Sequence, residues 1–404
     1  MNPIQDKRIT LGVTGSIACY KAADLASKLT QAGAQVDVIL TESAVRFVQP
    51  ITFQSVTVRK AFVDKDLWSD QGHVQHIGLG HATDVIVISP VTANTIAKLA
   101  HGIADNLLTV TALAATCPVL LAPAMDGGMF THIATQDNLE ILKKRGAVVI
   151  GPEEGRFASG MIGLGRMSEP LKILGILRKT LAQDGPLAGR KVIVTAGGTQ
   201  EPIDPVRYLT NRSSGKQGYA LAQAALDLGA TVTLISAPTG LTEPFGANLV
   251  SVRTAGEMLE AVKKHTLDAD ILLMAAAVAD FKPAEYNEQK IKKGSDVPSL
   301  TLTRTADILS EIGKTKEKTG SPHLMIGFAA ESENLLENAA KKLSAKRLDM
   351  IAANDISASD AGFGVDTNQV TLLFPDGSQE TLPLMGKDEV ADTILAKCVK
   401  LLGG

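Results

Sequence analysis

Apolar positions follow the same pattern in two distant segments of the chain. In each segment a short apolar run, at residues 9–13 or 192–195, ends in a turn that contains glycine. The residues after each turn, 18–31 and 219–228, repeat apolar positions at helical spacing up to a Gly-Ala pair, which is a common helix stop. A second apolar run follows each stop. The pattern predicts two strand–helix–strand units.

Further apolar runs extend each unit into a sheet. The runs at 85–89, 271–274, 324–328 and 350–353 are short and almost continuous, which predicts buried strands. Strands of that kind are typical of parallel sheets with helices on both faces. The predicted fold class is therefore α/β, with two doubly wound, Rossmann-like or flavodoxin-like domains.

Turn residues mark the ends of the two domains. The stretch AQDGPLAG within 181–189 supplies helix breakers, so we expect domains at 1–185 and 186–404. Near the end of the chain, apolar runs at 370–374 and 380–383 flank Pro-Asp-Gly-Ser. This arrangement predicts a hairpin in the second domain.

Composition narrows the possible partners. Of 404 residues, 45% are hydrophobic and the net charge is −3, so the chain is globular and has no large positive field for nucleic acid or an anionic membrane. The uncharged stretch 106–125 is long enough to span a bilayer, but its threonines and prolines favour a buried helix, a turn and a strand. Three scattered cysteines are typical of a reducing cytoplasm.

Candidate chemistry in the first domain lies at the predicted strand ends, where doubly wound sheets bind ligands. The turn at 12–18 opens a helix and suits a phosphate, although a plain tight turn explains it too. The stretch 89–95 offers hydroxyls and an amide to a phosphate or a flavin ring, or else only caps a helix. A nicotinamide dinucleotide site would need an acidic residue after the second strand to hold a ribose. The segment found there, Thr41-Glu42-Ser43, neither excludes nor favours such a site.

Three histidines, His73, His76 and His81, lie close together in the sequence. No cysteine is near them and glycines interrupt any regular face, so the spacing argues against a metal site. A histidine that acts as a base is the more attractive interpretation, because imidazole titrates near neutral pH. Surface histidines on a loop are the alternative.

The second domain combines a glycine turn with charged groups. Residues 211–218 place two serines and a glycine before a helix, which suits a phosphate, but they lack the glycine spacing of a P-loop. Asp280 ends a buried run and is a candidate for a metal or a ribose. The basic run 290–293 is either functional or a solvated loop, while Lys342 and Lys346 share one helix face.

Motifs of the first half resemble the homo-oligomeric flavin-containing cysteine decarboxylases. They are GSI at 15–17, HI at 76–77, PVTANT at 90–95, ADNL at 104–107 and PAMDGGM at 123–129. The resemblance implies FMN at a subunit interface and oxidation of a cysteinyl carboxylate, with loss of CO₂ from a thioaldehyde. It places the active-site histidine on His76. The residues assigned to FMN are Gly15, Ser16, Ile17, Thr41, Ser89, Thr92, Ala93, Asn94 and Met125.

Two positions depart from that resemblance. Asp126 stands where these decarboxylases have an asparagine whose amide helps to hold the substrate carboxylate, and an ionised aspartate would repel that group. Ser159 stands in the flap, residues 155–166, where the coenzyme A branch has a proton-donating cysteine. A serine hydroxyl is a far weaker acid than a thiol. Both positions are candidate catalytic residues; Asp126 bears on binding of the substrate carboxylate, and Ser159 on the last reduction.

Motifs of the second half closely resemble phosphopantothenate–cysteine ligase. They are DPVR at 204–207, NRSSG at 211–215, AAVAD at 276–280, KIKK at 290–293, GFAAE at 327–331 and AND at 353–355. The resemblance implies that the carboxylate of 4′-phosphopantothenate attacks CTP, that pyrophosphate leaves, and that the amine of cysteine then displaces CMP. Mg²⁺ and lysines would stabilise the developing charge.

The same resemblance assigns roles to single residues. Lys290 would hold the triphosphate in the first step, Asn211 would hold the acyl-cytidylate in the second, and Arg207 would lie beside the acyl phosphate. Asp280 is also the metal candidate. The nucleotide would be lined by Met274, Ala275, Ala276, Asp280, Lys290, Ala306, Asp307, Ile308, Leu309, Phe328, Lys342 and Lys346.

The whole chain is thus similar to the bifunctional bacterial coenzyme A biosynthesis proteins, with the decarboxylase first and the ligase second. That resemblance implies a cytoplasmic homo-oligomer, a dodecamer, acting on small molecules. Two alternatives stay open. One is an active ligase joined to an altered flavin half, as Asp126 and Ser159 suggest. The other is a nicotinamide-dependent oxidoreductase.

Overall fold

The computed structural model describes residues 2–68, 75–156, 162–292, 299–331, 334–355 and 364–403. The chain divides into two compact units, one formed by Asn2–Leu181 and the other beginning at Ala182. Each unit has its own sheet and its own apolar core.

The first unit contains a six-stranded parallel sheet with the order β3-β2-β1-β4-β5-β6, and an antiparallel pair β7-β8. The strands are β1 Arg8–Val13, β2 Gln35–Leu40, β3 Ala61–Val63, β4 Val85–Val91, β5 Val119–Pro123, β6 Val148–Val149, β7 Glu153–Arg156 and β8 Ile162–Arg166. The helices are α1 Cys19–Gln31, α2 Glu42–Val45, α3 Pro50–Thr57, α4 Gln75–Ala82, α5 Ala93–His101, α6 Leu107–Ala114, α7 Gly127–Thr131, α8 Ile133–Lys144 and α9 Pro170–Ala182, with a 3₁₀ helix at Asp64–Trp68.

Strand β4 shows why the sheet is covered on both faces. Val85 and Val87 belong to one apolar cluster, while Ile86 and Ile88 belong to the cluster on the other side. Because side chains alternate along a strand, this continuous apolar run needs helices on both faces. The predicted strand at 85–89 is therefore confirmed, and it extends to Val91.

The second unit has an eight-stranded sheet with the order β13-β12-β9-β14-β17-β18-β20-β21, together with three short two-stranded ladders, β10-β11, β15-β16 and β19-β22. Its strands are β9 Lys191–Ala196, β10 Gln200–Pro202, β11 Tyr208–Thr210, β12 Thr231–Ser236, β13 Asn248–Ser251, β14 Ile271–Met274, β15 Phe281–Pro283, β16 Leu302–Arg304, β17 Leu324–Glu331, β18 Met350–Asp355, β19 Thr367–Asn368, β20 Val370–Leu373, β21 Gln379–Thr381 and β22 Met385–Gly386. Its helices are α10 Lys216–Asp227, α11 Ala255–His265, α12 Ile308–Thr319, α13 Leu335–Ala345 and α14 Lys387–Gly403.

The two sheets share a topology. When only the strands of the main sheet are counted, the first strand of each sheet lies beside the second on one side and the fourth on the other, namely β2-β1-β4 and β12-β9-β14. Strand order reverses at that point, and doubly wound folds bind ligands there. The last strands of the second unit are antiparallel, and β20 and β21 form the predicted hairpin. The α/β prediction with doubly wound sheets is confirmed.

Two helices begin earlier than their apolar spacing predicts. Helix α5 begins at Ala93, because Thr92 caps it by accepting a hydrogen bond from the backbone N–H of Thr95. Helix α10 begins at Lys216 after Gly215, whose φ of +77° is favoured by glycine. Capping residues and backbone conformation, rather than apolar periodicity, set these starts.

Candidate active sites

In the first unit, one threonine joins the ends of β1 and β4. The hydroxyl of Thr14 donates to the carbonyl oxygen of Pro90 at 2.9 Å and accepts from the backbone N–H of Thr92 at 3.0 Å. Thr14 is buried, so both hydrogen bonds are shielded from water. The turn after β1 and the start of α5 are therefore held together at the point where strand order reverses.

Gly15 follows Thr14 at a close approach of two loops. A Cβ at this position would lie 2.4 Å from the Cβ of Ser43, so a larger residue does not fit without a shift. Ser16 is half-buried, and Ile17 is exposed. The turn thus presents backbone and small polar groups beside an exposed apolar side chain at the start of α1.

The other residues assigned to FMN also follow strand ends. Thr41 caps α2 after β2, and Thr92, Ala93 and Asn94 lie at the cap and first turn of α5 after β4. Ser89 is buried within β4 and donates to the sulfur of Met167 at 3.3 Å. These assigned positions come from one edge of one sheet.

Met125 follows β5 at the same edge. Its backbone N–H donates to the carbonyl oxygen of Gly165 in β8 at 3.1 Å. The antiparallel pair β7-β8 is thereby attached to the end of β5. The pair belongs to the segment predicted as a flap, and Ser159 lies outside the described residues.

His76 lies on α4 and is half-buried. Its Nδ1 atom is buried and has no hydrogen-bond partner among the residues that the structure describes. An unpaired buried nitrogen costs free energy, so the site retains hydrogen-bonding capacity for a ligand. His81 is exposed on the same helix, and His73 lies outside the described residues.

Asp126 caps the short helix α7. Its Oδ1 accepts a hydrogen bond from the backbone N–H of Gly128 at 2.8 Å, and the side chain is exposed. Aspartate and asparagine are about equally good at this cap position. The helix start thus explains why a carboxylate is tolerated here, and it engages one oxygen of that carboxylate.

In the second unit, a cavity of about 980 Å³ lies at the carboxyl edge of the sheet. It is lined by Asn211 and by nearly all of the residues predicted to contact the nucleotide. These are Met274, Ala275, Ala276, Asp280, Ala306, Asp307, Ile308, Leu309, Phe328, Lys342 and Lys346.

One wall of this cavity carries an ion pair at a helix start. Asp307 caps α12 by accepting from the backbone N–H of Ser310, and its other oxygen lies 3.1 Å from the Nζ of Lys346. Burial acts to raise the pKa of Asp307, but the Ser310 N–H and the Lys346 ammonium outweigh it and hold the pKa below its ordinary value. Asp307 therefore positions Lys346.

Asn211 is fixed by the neighbouring strand end. Its amide nitrogen donates to the carbonyl oxygens of Ala277 at 3.3 Å and Val278 at 3.2 Å. Its side-chain oxygen is thus oriented away from those carbonyls. Asp280, the metal candidate, is exposed at the cavity, and no group of three acidic, cysteine or histidine side chains arranged for a metal occurs among the described residues.

Arg207 and Lys290 lie outside the described lining of this cavity. Arg207 pairs with Asp204 and donates to the carbonyl oxygen of Ile291 at 2.8 Å. Asp204 also accepts from the backbone N–H of Ile291 at 3.2 Å, so the basic run is tied to the loop that carries Arg207. Burial acts to raise the pKa of Asp204, but these hydrogen bonds outweigh it and lower the pKa well below its usual range.

Sequence reasoning missed part of the cavity wall. Asn368 and Lys387 line it, as do Lys216 and Gln217 from the stretch 211–218 and Asn354 from the AND motif, none of which was assigned a role. Asn368 and Lys387 carry no motif signal, because the short ladder β19-β22 brings them to the cavity from outside the motif stretches. None of the described helices is both long and apolar enough to cross a bilayer.

Two family models divide the chain between them. The model described as "Flavoprotein" matches residues 2–182, and "DNA/pantothenate metabolism flavoprotein C-terminal domain" matches residues 187–402. A Bacillus subtilis protein, the coenzyme A biosynthesis bifunctional protein CoaBC, is 46% identical over 401 residues, which cover 98% of each chain. The chain belongs to the CoaBC family.

A second full-length CoaBC protein agrees with this assignment. That protein, from Vibrio vulnificus strain YJ016, is 40% identical over 408 residues and covers all of both chains. A crystal structure of the C-terminal domain of a CoaBC is 42% identical, with a TM-score of 0.46, and covers 54% of this chain and 98% of that one. The match to the CoaBC family extends across both units of the chain.

Proposed function

We propose that the chain catalyses two successive steps of coenzyme A biosynthesis. The second unit joins cysteine to 4′-phosphopantothenate with CTP and Mg²⁺, and the first unit converts the product to 4′-phosphopantetheine with FMN. Similarity to CoaBC proteins over 98% of the chain carries this proposal. The order is chemically consistent, since the first product is the second substrate.

In the ligase step, a carboxylate oxygen of 4′-phosphopantothenate bonds to the α-phosphorus of CTP and pyrophosphate leaves. The amine of cysteine then bonds to the acyl carbon, the bond to CMP breaks, and the neutral amine gives up one proton. Charge builds on phosphate oxygens in the first step, which is where Lys290, Lys342 and Lys346 act in this proposal. In support of this proposal, Lys342 and Lys346 line the same cavity as most of the residues assigned to the nucleotide.

Asn211 has the geometry for the second step. Because its amide nitrogen is already held by two backbone carbonyls, its oxygen keeps a fixed direction at the cavity. A fixed polar group orients a bound acyl-cytidylate without an entropy cost during the reaction. Asp280 would be the carboxylate that holds Mg²⁺, because this ion usually binds one or two carboxylates together with water molecules and substrate phosphates.

In the decarboxylase step, FMN supplies a hydride acceptor when bound. The turn at Gly15 and the start of α5 offer backbone N–H groups for its phosphate, while the N–H of Ser16 already donates to the carbonyl oxygen of Thr14. The exposed Ile17 offers apolar surface for its ring. The buried, unpaired nitrogen of His76 is suited to hold or move a proton at the substrate. The residues present therefore fit this cofactor.

We also propose a homo-oligomer in a reducing compartment, the cytoplasm. Apolar side chains beside the first site, Ile17 at 64% and Met129 at 53%, are exposed in a single chain and would be covered by another copy. The three cysteines, Cys19, Cys117 and Cys398, are free thiols.

The test supplies 4′-phosphopantothenate, cysteine, CTP and Mg²⁺ to the purified, yellow enzyme and identifies products by mass. We expect 4′-phosphopantetheine, CMP, pyrophosphate and CO₂. A product that stops at the acid or at an enethiol would instead support an altered flavin half, as Asp126 and Ser159 suggest. A colourless protein that leaves CTP unchanged would refute both activities.

A further inference from the structure

Three buried amide oxygens in the second unit lack hydrogen-bond partners among the described residues. They are Oε1 of Gln217, Oδ1 of Asn354 and Oδ1 of Asn368, and all three residues line the large cavity. Asn368 is only 4% exposed. A buried acceptor without a donor is costly, so a residue kept in this state at a cavity wall indicates a ligand that brings N–H or O–H groups.

The fold connects Gln217 and Asn368 to the same short strand pair, β19-β22. The side chain of Gln217, in the first turn of α10, donates from Nε2 to the carbonyl oxygen of Lys387 at 3.1 Å. Lys387 directly follows β22, and β22 pairs with β19, where Asn368 lies opposite Met385. The Gln217 amide is therefore held through its nitrogen, and the backbone of Asn368 is held by the strand pair, before any ligand binds.

Two ammonium groups lie at the same wall. Lys216 and Lys387 line the cavity and also a second, smaller pocket of about 360 Å³. Lys387 is buried and donates to the carbonyl oxygen of Val365 at 2.7 Å. Lys216 pairs with Asp366 at 2.6 Å, but the Asp366 side chain is 88% exposed, so water screens much of its charge.

This wall combines hydrogen-bond acceptors with positively charged side chains. The acceptors can bind the N–H groups of an amine, and the positive charges can bind a carboxylate. A free α-amino acid carries both groups on one carbon atom, whereas the nucleotide and 4′-phosphopantothenate carry their anionic groups away from any amine. The other two substrates also carry hydrogen-bond donors and anionic groups, but cysteine is the one that carries an amine and a carboxylate on the same carbon, so it can contact the acceptors and the cations of one wall together.

We propose that Gln217 and Asn368, with Lys216 and Lys387, form the cysteine site of the ligase. Gln217 and Asn368 accept from the N–H groups of the attacking amine, and the two lysines hold the carboxylate. This inference rests on the proposed ligase function. It adds the second substrate to a cavity whose nucleotide contacts come from other residues.

The test separates the two half-reactions. Enzyme is first mixed with 4′-phosphopantothenate, CTP and Mg²⁺, and pyrophosphate release is measured; cysteine is then added and CMP release is followed. We expect Asn368→Ala and Gln217→Met each to raise the half-saturating cysteine concentration by about tenfold, the effect of one lost hydrogen bond. Pyrophosphate release before cysteine addition stays unchanged.

Cysteamine lacks the carboxylate and so tests the lysines. We expect Lys216→Met to raise the half-saturating concentration of cysteine by about tenfold, because a charge-assisted contact is lost, and to leave that of cysteamine unchanged. Asn368→Ala raises both. Asn248→Ala and Lys341→Met are matched controls on exposed positions away from the cavity lining and change neither.

Three results decide the inference. If the variants slow pyrophosphate release, or raise the KM of CTP or 4′-phosphopantothenate and leave cysteine unaffected, the wall belongs to another substrate and the inference is wrong. If thermal unfolding shows that Asn368→Ala is not folded, the results for Gln217→Met and Lys216→Met decide in its place. If the wild-type enzyme releases no pyrophosphate, the ligase function itself is refuted. Pyrophosphate release is measured before cysteine is added, so this outcome is distinguished from a failure of the cysteine site.

Discussion

The candidate residues of the two units lie at equivalent places in sheets of the same strand order, but their surroundings differ. In the first unit they line a sheet edge beside exposed apolar side chains such as Ile17 and Met129. In the second unit they surround a cavity of about 980 Å³. The difference comes from the segments that connect the strands.

In the second unit, added ladders build walls around the edge. The pair β15-β16 ends near Arg304 and Thr305, and β19-β22 brings Asn368 and Lys387, all of which line the cavity. In the first unit, the described connections after β1 and β4 lead directly into helices. The sheet topology therefore fixes where a ligand binds, whereas the inserted segments decide how far one chain alone encloses that ligand.

The largest expected effect separates the two sites functionally. His76→Asn removes the proposed proton-carrying group, so we expect CO₂ release to fall about 10²–10⁴-fold while ligation is unchanged. His81→Asn, on the exposed face of the same helix, is the matched control and leaves both unchanged. Mass spectrometry of the two products measures both steps, and CO₂ release that continued in His76→Asn would remove this residue from the mechanism.

The converse experiment acts on the second unit. Lys290→Gln removes a proposed positive charge from the triphosphate, so we expect pyrophosphate release to slow about 10²–10³-fold, with decarboxylation of supplied 4′-phosphopantothenoylcysteine intact. Lys292→Gln, an exposed neighbour in the same basic run, is the control. An unchanged pyrophosphate burst in Lys290→Gln would show that the residue has no role in activation.

A smaller effect tests the close approach at the first site. In Gly15→Ala, the new Cβ would lie 2.4 Å from the Cβ of Ser43. We expect the free energy of unfolding to fall by about 1–3 kcal/mol and bound flavin to be lost more readily. Thermal unfolding and flavin absorbance measure this, and the double variant Gly15→Ala/Ser43→Gly should recover most of the loss. A double variant no better than the single one would contradict the steric explanation.

The smallest expected effect concerns the ion pair in the cavity wall. Asp307→Asn keeps the helix cap but loses the charge opposite Lys346, and we expect about 0.5–1 kcal/mol of stability to be lost because the pair is partly exposed. The pKa of Asp307 is lowered by folding, so its contribution is present above its ordinary value of 3.8. That contribution disappears as pH falls through the lowered pKa.

Urea unfolding of wild type and Asp307→Asn at a series of pH values measures this difference. The gap between the two proteins should be constant near neutral pH and should close in acid. A gap that persisted well below pH 3.8 would mean that the substitution acts through packing rather than charge.

Local sequence signals predicted the fold because the strands are nearly continuous apolar runs. Residues 271–274, for example, are the strand as observed. The nucleotide residues were assigned through family motifs, and the cavity brings most of them together. Asn368 and Lys387 could not be predicted from the sequence. The two-residue ladder β19-β22 is too short to show an apolar periodicity, and its contacts join distant parts of the chain. The salt bridge of Arg207 with Asp204, three residues earlier, was equally invisible, since spacing alone does not reveal which partner a charged group takes.

The hydroxyl of Thr14 joins the turn after β1 to the segment that leads into α5. Neither segment can shift without straining the other, so the two segments behave as one rigid body. Any adaptation to ligands of different size must then come from parts of the fold outside these two segments, such as α7 or the β7-β8 pair. Variation in substrate choice among related proteins should concentrate there.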